Sequence, residues 1–365
     1  MPETPTKSRR PKPDSRRQAV LSTIIEEHVV TGEAVGSRKI SERFAHATGW
    51  SSATIRNVMS ELEELGYLEQ PHTSAGRIPT DRGYRYYVDH MIDSTRLSSK
   101  DVNVIESLGL GHEITARPDR LMEKASHVLS ELSENVGIII WPALSQNRLK
   151  QIRFMKLPDN RVLVVLVSMS NVVHDKVISL TEDFSQDELN RTARYLNTEY
   201  SGKTLFAIHA EIVELVKQEQ ALYDSVVRNA IMLWERSLED EDTVTAEVFI
   251  DGASNILGKP EFSETERMRE LFRMLEEKSR LVKILNECVA GDIAGSVRVI
   301  IGQENPTVSM QHCSVISSSY RVGADVSGTL SVIGPTRIEY GRMVAVVNYL
   351  ARFIERAFVS EVSLH

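Results

Sequence analysis

The 365-residue sequence predicts an α+β chain of several domains. Three observations carry that expectation. Residues 15–80 follow the order helix, helix, Gly-containing turn, helix, strand, turn, strand, which is the order of a winged helix-turn-helix. From about residue 101, apolar runs of strand length stand among amphipathic helices. Between about 183 and 243 those strand patterns stop, a mostly helical block intervenes, and strands then resume. The simplest architecture is one sheet flanked by helices and interrupted after its third or fourth strand.

Composition bounds the function. The net charge is -8, yet residues 1–60 hold 10 Lys/Arg against 6 Asp/Glu. A basic end on an acidic body suits contact with nucleic acid at one end only, although a basic tail on an acidic domain is the plainer alternative. No apolar run reaches about 18 residues, and the basic, Pro-rich start lacks the apolar core of a secretory signal. The two cysteines, Cys288 and Cys313, form no CxxC motif and suit reduced thiols. A cytoplasmic protein without a membrane span is the expectation.

Residues 1–13, MPETPTKSRRPKP, are too polar and Pro-rich to pack, and form an expected disordered tail. A first helix is expected over 15–31, with Ser15-Arg16-Arg17-Gln18 as a capping box and Leu21, Ile24, Ile25, His28 and Val29 inward. His28 is read as a partly buried core residue. A second helix, about 38–47 and capped by Ser37, turns Ile40 and Phe44 inward.

The stretch Ser51–Thr80 carries the functional signal. Ile55, Val58, Met59, Leu62 and Leu65 form one apolar helical stripe, with Ser51 or Ser52 as cap and Gly66 just past the end. Ala53, Arg56, Asn57 and Ser60 lie opposite the stripe. Arg can fork onto guanine, Asn onto adenine, and Ala lets the backbone approach closely. Ser52 joins these four as a candidate for base edges, and Ser51 and Thr54 are candidates for phosphate at the helix start. Tyr67-Leu68-Glu69 and Arg77-Ile78 then flank a turn, and Thr80 can cap the next helix. His72, Ser74 and Arg77 are the candidate donors of this wing. An ordinary helix and hairpin in a core would show the same apolar stripe.

The helix expected over 81–93 carries Tyr84-Arg85-Tyr86-Tyr87, which is read as packing on the winged domain rather than as a base-stacking surface. Further helices are expected at 100–108 and 118–134. Strands are expected around Ile138–Ile140, Ile152–Phe154, Val162–Val167 and Val172–Leu180. The solidly apolar run Val162–Val167 suits a central strand. Helices from 186 to about 200 and from 210 to 238 fill the interruption. After it come strands at 246–251, 296–302, 312–319 and 325–333, helices at about 263–277 and 279–290, and a final amphipathic helix.

The residues SSATIRNVMSELEELGYLEQPHTSAGRIPTDRGYRYYVD closely resemble the N-terminal region of the HrcA family, repressors of bacterial heat-shock chaperone operons. The likeness extends upstream through Val35-Gly36-Ser37 and returns at Gly334-Pro335-Thr336-Arg337-Ile338-Glu339-Tyr340. It implies a winged helix-turn-helix over 14–93 and a GAF-like domain in two parts, 94–182 and 244–365. A dimerising insert over 183–243 would separate them. It further implies a homodimer on double-stranded DNA bearing an inverted-repeat CIRCE operator, and upkeep of the active repressor by the GroEL chaperonin.

Enzyme signals are poor: HExxH, P-loop, GxSxG and helix-opening GxGxxG motifs are all missing. The ten histidines do not pair with cysteines at ligand spacing, and neither a cofactor nor a metal is expected. The adjacent pairs His112-Glu113 and His174-Asp175 would point to different sides of their elements. The competing expectation is a metabolite-responsive regulator holding a ligand in the GAF-like domain, where Gly323, Gly328 and Gly334 could admit it.

Overall fold

The computed structural model describes residues 13–45, 49–72, 75–92, 97–108, 118–170, 172–216, 225–237, 246–289, 296–322 and 326–359. The tail 1–12, Ser74, the pair His112-Glu113 and Gly323 therefore lie outside the described residues.

The N-terminal unit is built from α1 (Ser15–Thr31), α2 (Ser37–Phe44), α3 (Ser52–Glu64), the strand pair β1 (Leu68–Glu69) and β2 (Ile78–Pro79), and α4 (Asp81–His90). Leu21, Ile24 and Ile25 of α1, Ile40 of α2 and Ile55, Val58 and Leu62 of α3 meet in one core. The strands pair antiparallel, Leu68 opposite Pro79. Two cap expectations need correction. Asp14, not Ser15, caps α1, its carboxylate accepting from the Arg17 N–H at 2.9 Å. A carboxylate one residue earlier serves the same free amides and carries a charge that suits the helix N-terminus. Helix α2 begins at Ser37 after Gly36, without a side-chain cap bond. Helix α4 ends at His90, three residues short of the expected end.

Helices α5 (Ser99–Glu106) and α6 (Pro118–Ser133) lead to β3 (Val136–Trp141). There the expectation of one sheet broken after its third or fourth strand fails. Strands β4 (Leu149–Leu157), β5 (Arg161–Ser168) and β6 (Val173–Ser179) form a separate three-stranded sheet. Helices α7 (Gln186–Tyr200), α8 (Leu205–Val216) and α9 (Ser225–Ser237) follow. The chain then returns through β7 (Glu247–Asp251), which pairs with β3. The chain thus leaves the larger sheet after its first strand. The run Val162–Val167 is a central strand as expected, but of the smaller sheet, and only one of its faces is fully covered. Val162, Val164 and Leu166 are buried in a core with Leu189 and Leu196 of α7, while Leu163, Val165 and Val167 are half-buried. The expected continuous helix 210–238 is described as α8 and α9, with 217–224 outside the described residues.

Helices α10 (Thr265–Glu276) and α11 (Lys278–Val289), strands β8 (Val297–Ile301), β9 (Cys313–Val322) and β10 (Val326–Pro335), and α12 (Tyr340–Val359) complete the chain. The five-stranded sheet runs β7-β3-β10-β9-β8, antiparallel throughout. Alternation sends Ile139, Ile316, Leu330 and Val332 into a core with α6, α12 and the N-terminal unit. Ile138, Ile140, Val315 and Ile333 go to the opposite core with α10 and α11. Both cysteines are free and buried, and burial pushes their thiols up, Cys288 to about 11 and Cys313 to about 12. Neither is a thiolate at neutral pH. Among the described residues, no helix is long and apolar enough to cross a membrane.

Candidate nucleic-acid interface

Helix α3 presents two chemically different sides. Ile55, Val58, Met59 and Leu62 are buried, and Ala53, Arg56 and Asn57 are exposed. Ser60 is half-exposed. No partner holds the Arg56 or Asn57 side chain among the hydrogen bonds and ion pairs of the described residues. Two of the three acids behind them are occupied, and the third, Glu64, is exposed. Glu61 accepts from Arg17 Nε at 2.7 Å, and Glu63 accepts from Arg77 Nε at 2.8 Å. Pairing withdraws negative charge from the second half of α3, and the exposed first half remains without acids.

The helix start is organised by hydroxyls. Ser51 is the N-cap, accepting from the Thr54 N–H at 3.2 Å and sharing a bond with Thr54 Oγ1 at 3.0 Å. Ser52 Oγ lies 2.9 Å from Ser37 Oγ, so the first turns of α2 and α3 sit side by side. Ser51 and Ser52 thus hold the helix start in place, and their hydroxyls are already engaged. Three exposed or half-exposed positions surround it: Ala53, Thr54 and Asn57.

Two cations beside this start escaped the sequence reading. Arg16 of α1 lies over the ring of Trp50, 4.9 Å from its centroid, immediately before the cap. Arg38 is exposed on the first turn of α2, next to the Ser37–Ser52 contact. Arg16 and Arg38 thus stand on the first turns of α1 and α2, and Arg56 on the second turn of α3. The excess of Lys/Arg in the first 60 residues was the available signal. The stacking of Arg16 on Trp50 depends on packing that sequence spacing does not report.

The wing differs in part from expectation. His72 is exposed at its tip. Arg77 is turned back, its guanidinium bound to Glu63 and its backbone paired with Val35 through two bonds of 2.9 Å. It stabilises the wing base in the free protein, and would have to exchange Glu63 for phosphate to touch DNA. The YRYY cluster packs, but only partly on the winged unit as expected: Tyr86 meets Gln18 and Tyr67, whereas Tyr84 and Arg85 turn to the body. Tyr84 and Tyr86 are buried, and Tyr86 Oη accepts from Gln18 Nε2 at 2.8 Å.

The described residues offer little for catalysis or ligand chemistry. They hold no group of three or more metal-ligating side chains. His174 and Asp175 point to opposite faces of β6. A Cβ on Gly328 would lie 2.3 Å from the Tyr320 ring, and one on Gly334 would lie 2.3 Å from Asn135 Oδ1. The space beside both glycines is filled by the protein itself.

Comparison with known proteins gives the chain a family. Residues 119–344 match the family model described as HrcA protein C terminal domain. The chain is 39% identical over 348 residues to the heat-inducible transcription repressor HrcA of Geobacter sulfurreducens, covering 95% of this chain and 98% of that one. It is 36% identical over 343 residues to the protein of the same name from Syntrophobacter fumaroxidans, covering 93% and 96%. A crystal structure of a hypothetical protein at 2.2 Å resolution shares the fold, with a TM-score of 0.67 at 24% identity over 96% of this chain and 99% of that one. The class defined is a transcription repressor, and not an enzyme. Within that class, the chain belongs to the HrcA family of heat-inducible repressors.

Proposed function

We propose that this repressor acts as a homodimer on a CIRCE-type inverted repeat ahead of chaperone operons of the groELS and grpE-dnaK-dnaJ type. In this reading residues 14–93 are a winged helix-turn-helix that inserts the leading half of α3 into the major groove. Ala53, Arg56, Asn57 and Ser60 meet base edges, with Ser52 close behind. Ser51, Thr54, Arg16 and Arg38 face phosphates, and His72, Ser74 and Arg77 form the wing contacts. The observation that carries the reading is the exposed, unpartnered pair Arg56 and Asn57 on a helix two of whose three acids, Glu61 and Glu63, are paired with arginines.

The five-stranded sheet with its helices is the GAF-like domain. The dimerising insert is better bounded by Trp141 and Glu247 than by 183–243, because the three-stranded sheet belongs with α7 to α9. The uncovered face of that sheet supports a dimer. Met155, Val173 and Val177 are exposed there beside half-buried Leu163, Val165 and Val167, with Arg153 and Asp175 on either side of Val165. A second copy covering this face would bury it and present two recognition helices to two half-sites.

Upkeep by the GroEL chaperonin fits a repressor of marginal stability. A small loss of folding free energy changes the active fraction several-fold, so competition for chaperonin by heat-unfolded proteins would open the operons.

The test is a gel-shift titration at fixed salt. Arg56→Ala should cost about 1–3 kcal/mol at the operator and relax discrimination at one base pair. Binding equal to wild type removes Arg56 from the interface.

A further inference from the structure

The segment Gly334–Tyr340 returns to the N-terminal unit rather than to the sheet alone. Arg337 Nη1 donates to Val29 O at 2.9 Å, at the C-terminal end of α1, and Arg337 Nε donates to Glu261 of the body. Its guanidinium lies against Gly32, where an added Cβ would sit 3.3 Å from Cζ. A guanidinium is well placed there, since the carbonyls at a helix C-terminus carry partial negative charge. Three residues on, Tyr340 is fully buried. Its Oη is 2.7 Å from Ser314 Oγ of β9 and 2.6 Å from Thr336 O, and its ring packs on Tyr84 of α4 at 5.6 Å between centroids.

A second polar anchor lies on α4. Arg85 binds both carboxylate oxygens of Glu304 and the carbonyl of Val299, and Asp81 accepts from the Gln303 N–H at 2.9 Å. The N-terminal unit is therefore seated on an apolar contact that includes Tyr84 on Tyr340, taken as its pivot, and is tied on two different helices. One tie alone leaves rotation about the pivot open, and two fix it. Helix α1 packs directly on α3 in the shared core, so the angle of α1 is the angle of α3.

We propose that Arg337 is a spacing-determining residue. By joining the end of α1 to Glu261 it sets the angle at which each protomer holds α3, and so the half-site separation that the dimer accepts. It is a positioning residue and touches no DNA. The proposal rests on the dimeric operator reading above. Rigid holding turns a wrong spacer into lost contacts in one half-site, whereas a loosened unit swivels to recover them.

The test compares full-length wild type, Arg337→Gln and Arg337→Lys on three DNAs. One carries the inverted repeat at its native spacing, one a spacer longer by two base pairs, and one a single half-site. Wild type should lose roughly tenfold or more on the lengthened spacer, the order of one or two lost base contacts. Arg337→Gln should narrow that loss to about threefold or less with half-site affinity unchanged, and Arg337→Lys, which keeps charge but cannot fork, should fall between. Spacing discrimination in Arg337→Gln equal to wild type overturns the proposal. So does a parallel loss of half-site binding in both variants, which marks a merely structural role. A wild type that binds neither repeat nor half-site overturns the operator reading itself, and this inference with it.

Discussion

His174 sits on the covered face of β6, opposite Leu166, and its Nε2 has no hydrogen-bond partner. Burial pushes its pKa down to about 4, against an ordinary 6.5, with Asp175 opposing only weakly. The folded state therefore holds the ring neutral where the unfolded chain would bind a proton. The sign follows: this stability is complete above about pH 6.5 and is lost as pH falls towards 4. Thermal unfolding should show the midpoint dropping across that window, and His174→Phe should flatten the drop. An unchanged pH profile in the variant would show that the ring is solvated. At the same scale, Ser51→Ala should cost about 1 kcal/mol in chemical denaturation by removing the α3 cap, a loss of stability distinct from the loss of affinity in Arg56→Ala.

Among the elements, the seam between α4 and the turn before β9 is tightly specified. Gly302 has φ of 52°, and an added Cβ would lie 2.0 Å from Asp81 Oδ2. Gly302→Ala should therefore combine backbone strain with displacement of Asp81, and cost about 1–3 kcal/mol. A melting temperature equal to wild type would mean that Asp81 does not hold the seam. This contact was not legible in the sequence, since Asp81 and Gly302 are far apart in the chain. The stripe of α3 was legible, because five apolar residues within eleven positions report one helix face directly. The free side of that helix was legible for the same reason. What its residues already bind was not: Glu63 meets Arg77 fourteen positions on, and Ser52 meets Ser37 fifteen positions back. Strand identity was also visible in β4 to β6, but sheet membership was not. Alternation tells which side of a strand is covered, and nothing in it names the strand alongside.

For the whole molecule, the distribution of polar and apolar contact separates fixed from adaptable parts. The winged unit is seated on the body by the Tyr84–Tyr340 contact, the Arg85–Glu304 ion pair and the Arg337 bond to the Val29 carbonyl, whereas the smaller sheet carries an open, largely apolar face. If a second copy covers that face, Val165→Asp should weaken the dimer by placing a second carboxylate beside Asp175 at its centre. Analytical ultracentrifugation should show a monomer at concentrations where wild type is dimeric. Affinity for the inverted repeat should fall more than tenfold while single half-site binding holds, because two linked half-sites gain from effective concentration. A variant that remains dimeric would place the subunit contact elsewhere.

The most direct measurement of the central claim is a protection footprint of the purified full-length protein on DNA carrying the inverted repeat, read together with the stoichiometry of the complex. The account predicts two protected half-sites related by twofold symmetry, two protomers per duplex, and loss of both footprints with Arg56→Ala and Asn57→Ala combined. Protection that ignores the repeat, or that survives the double substitution, would contradict it.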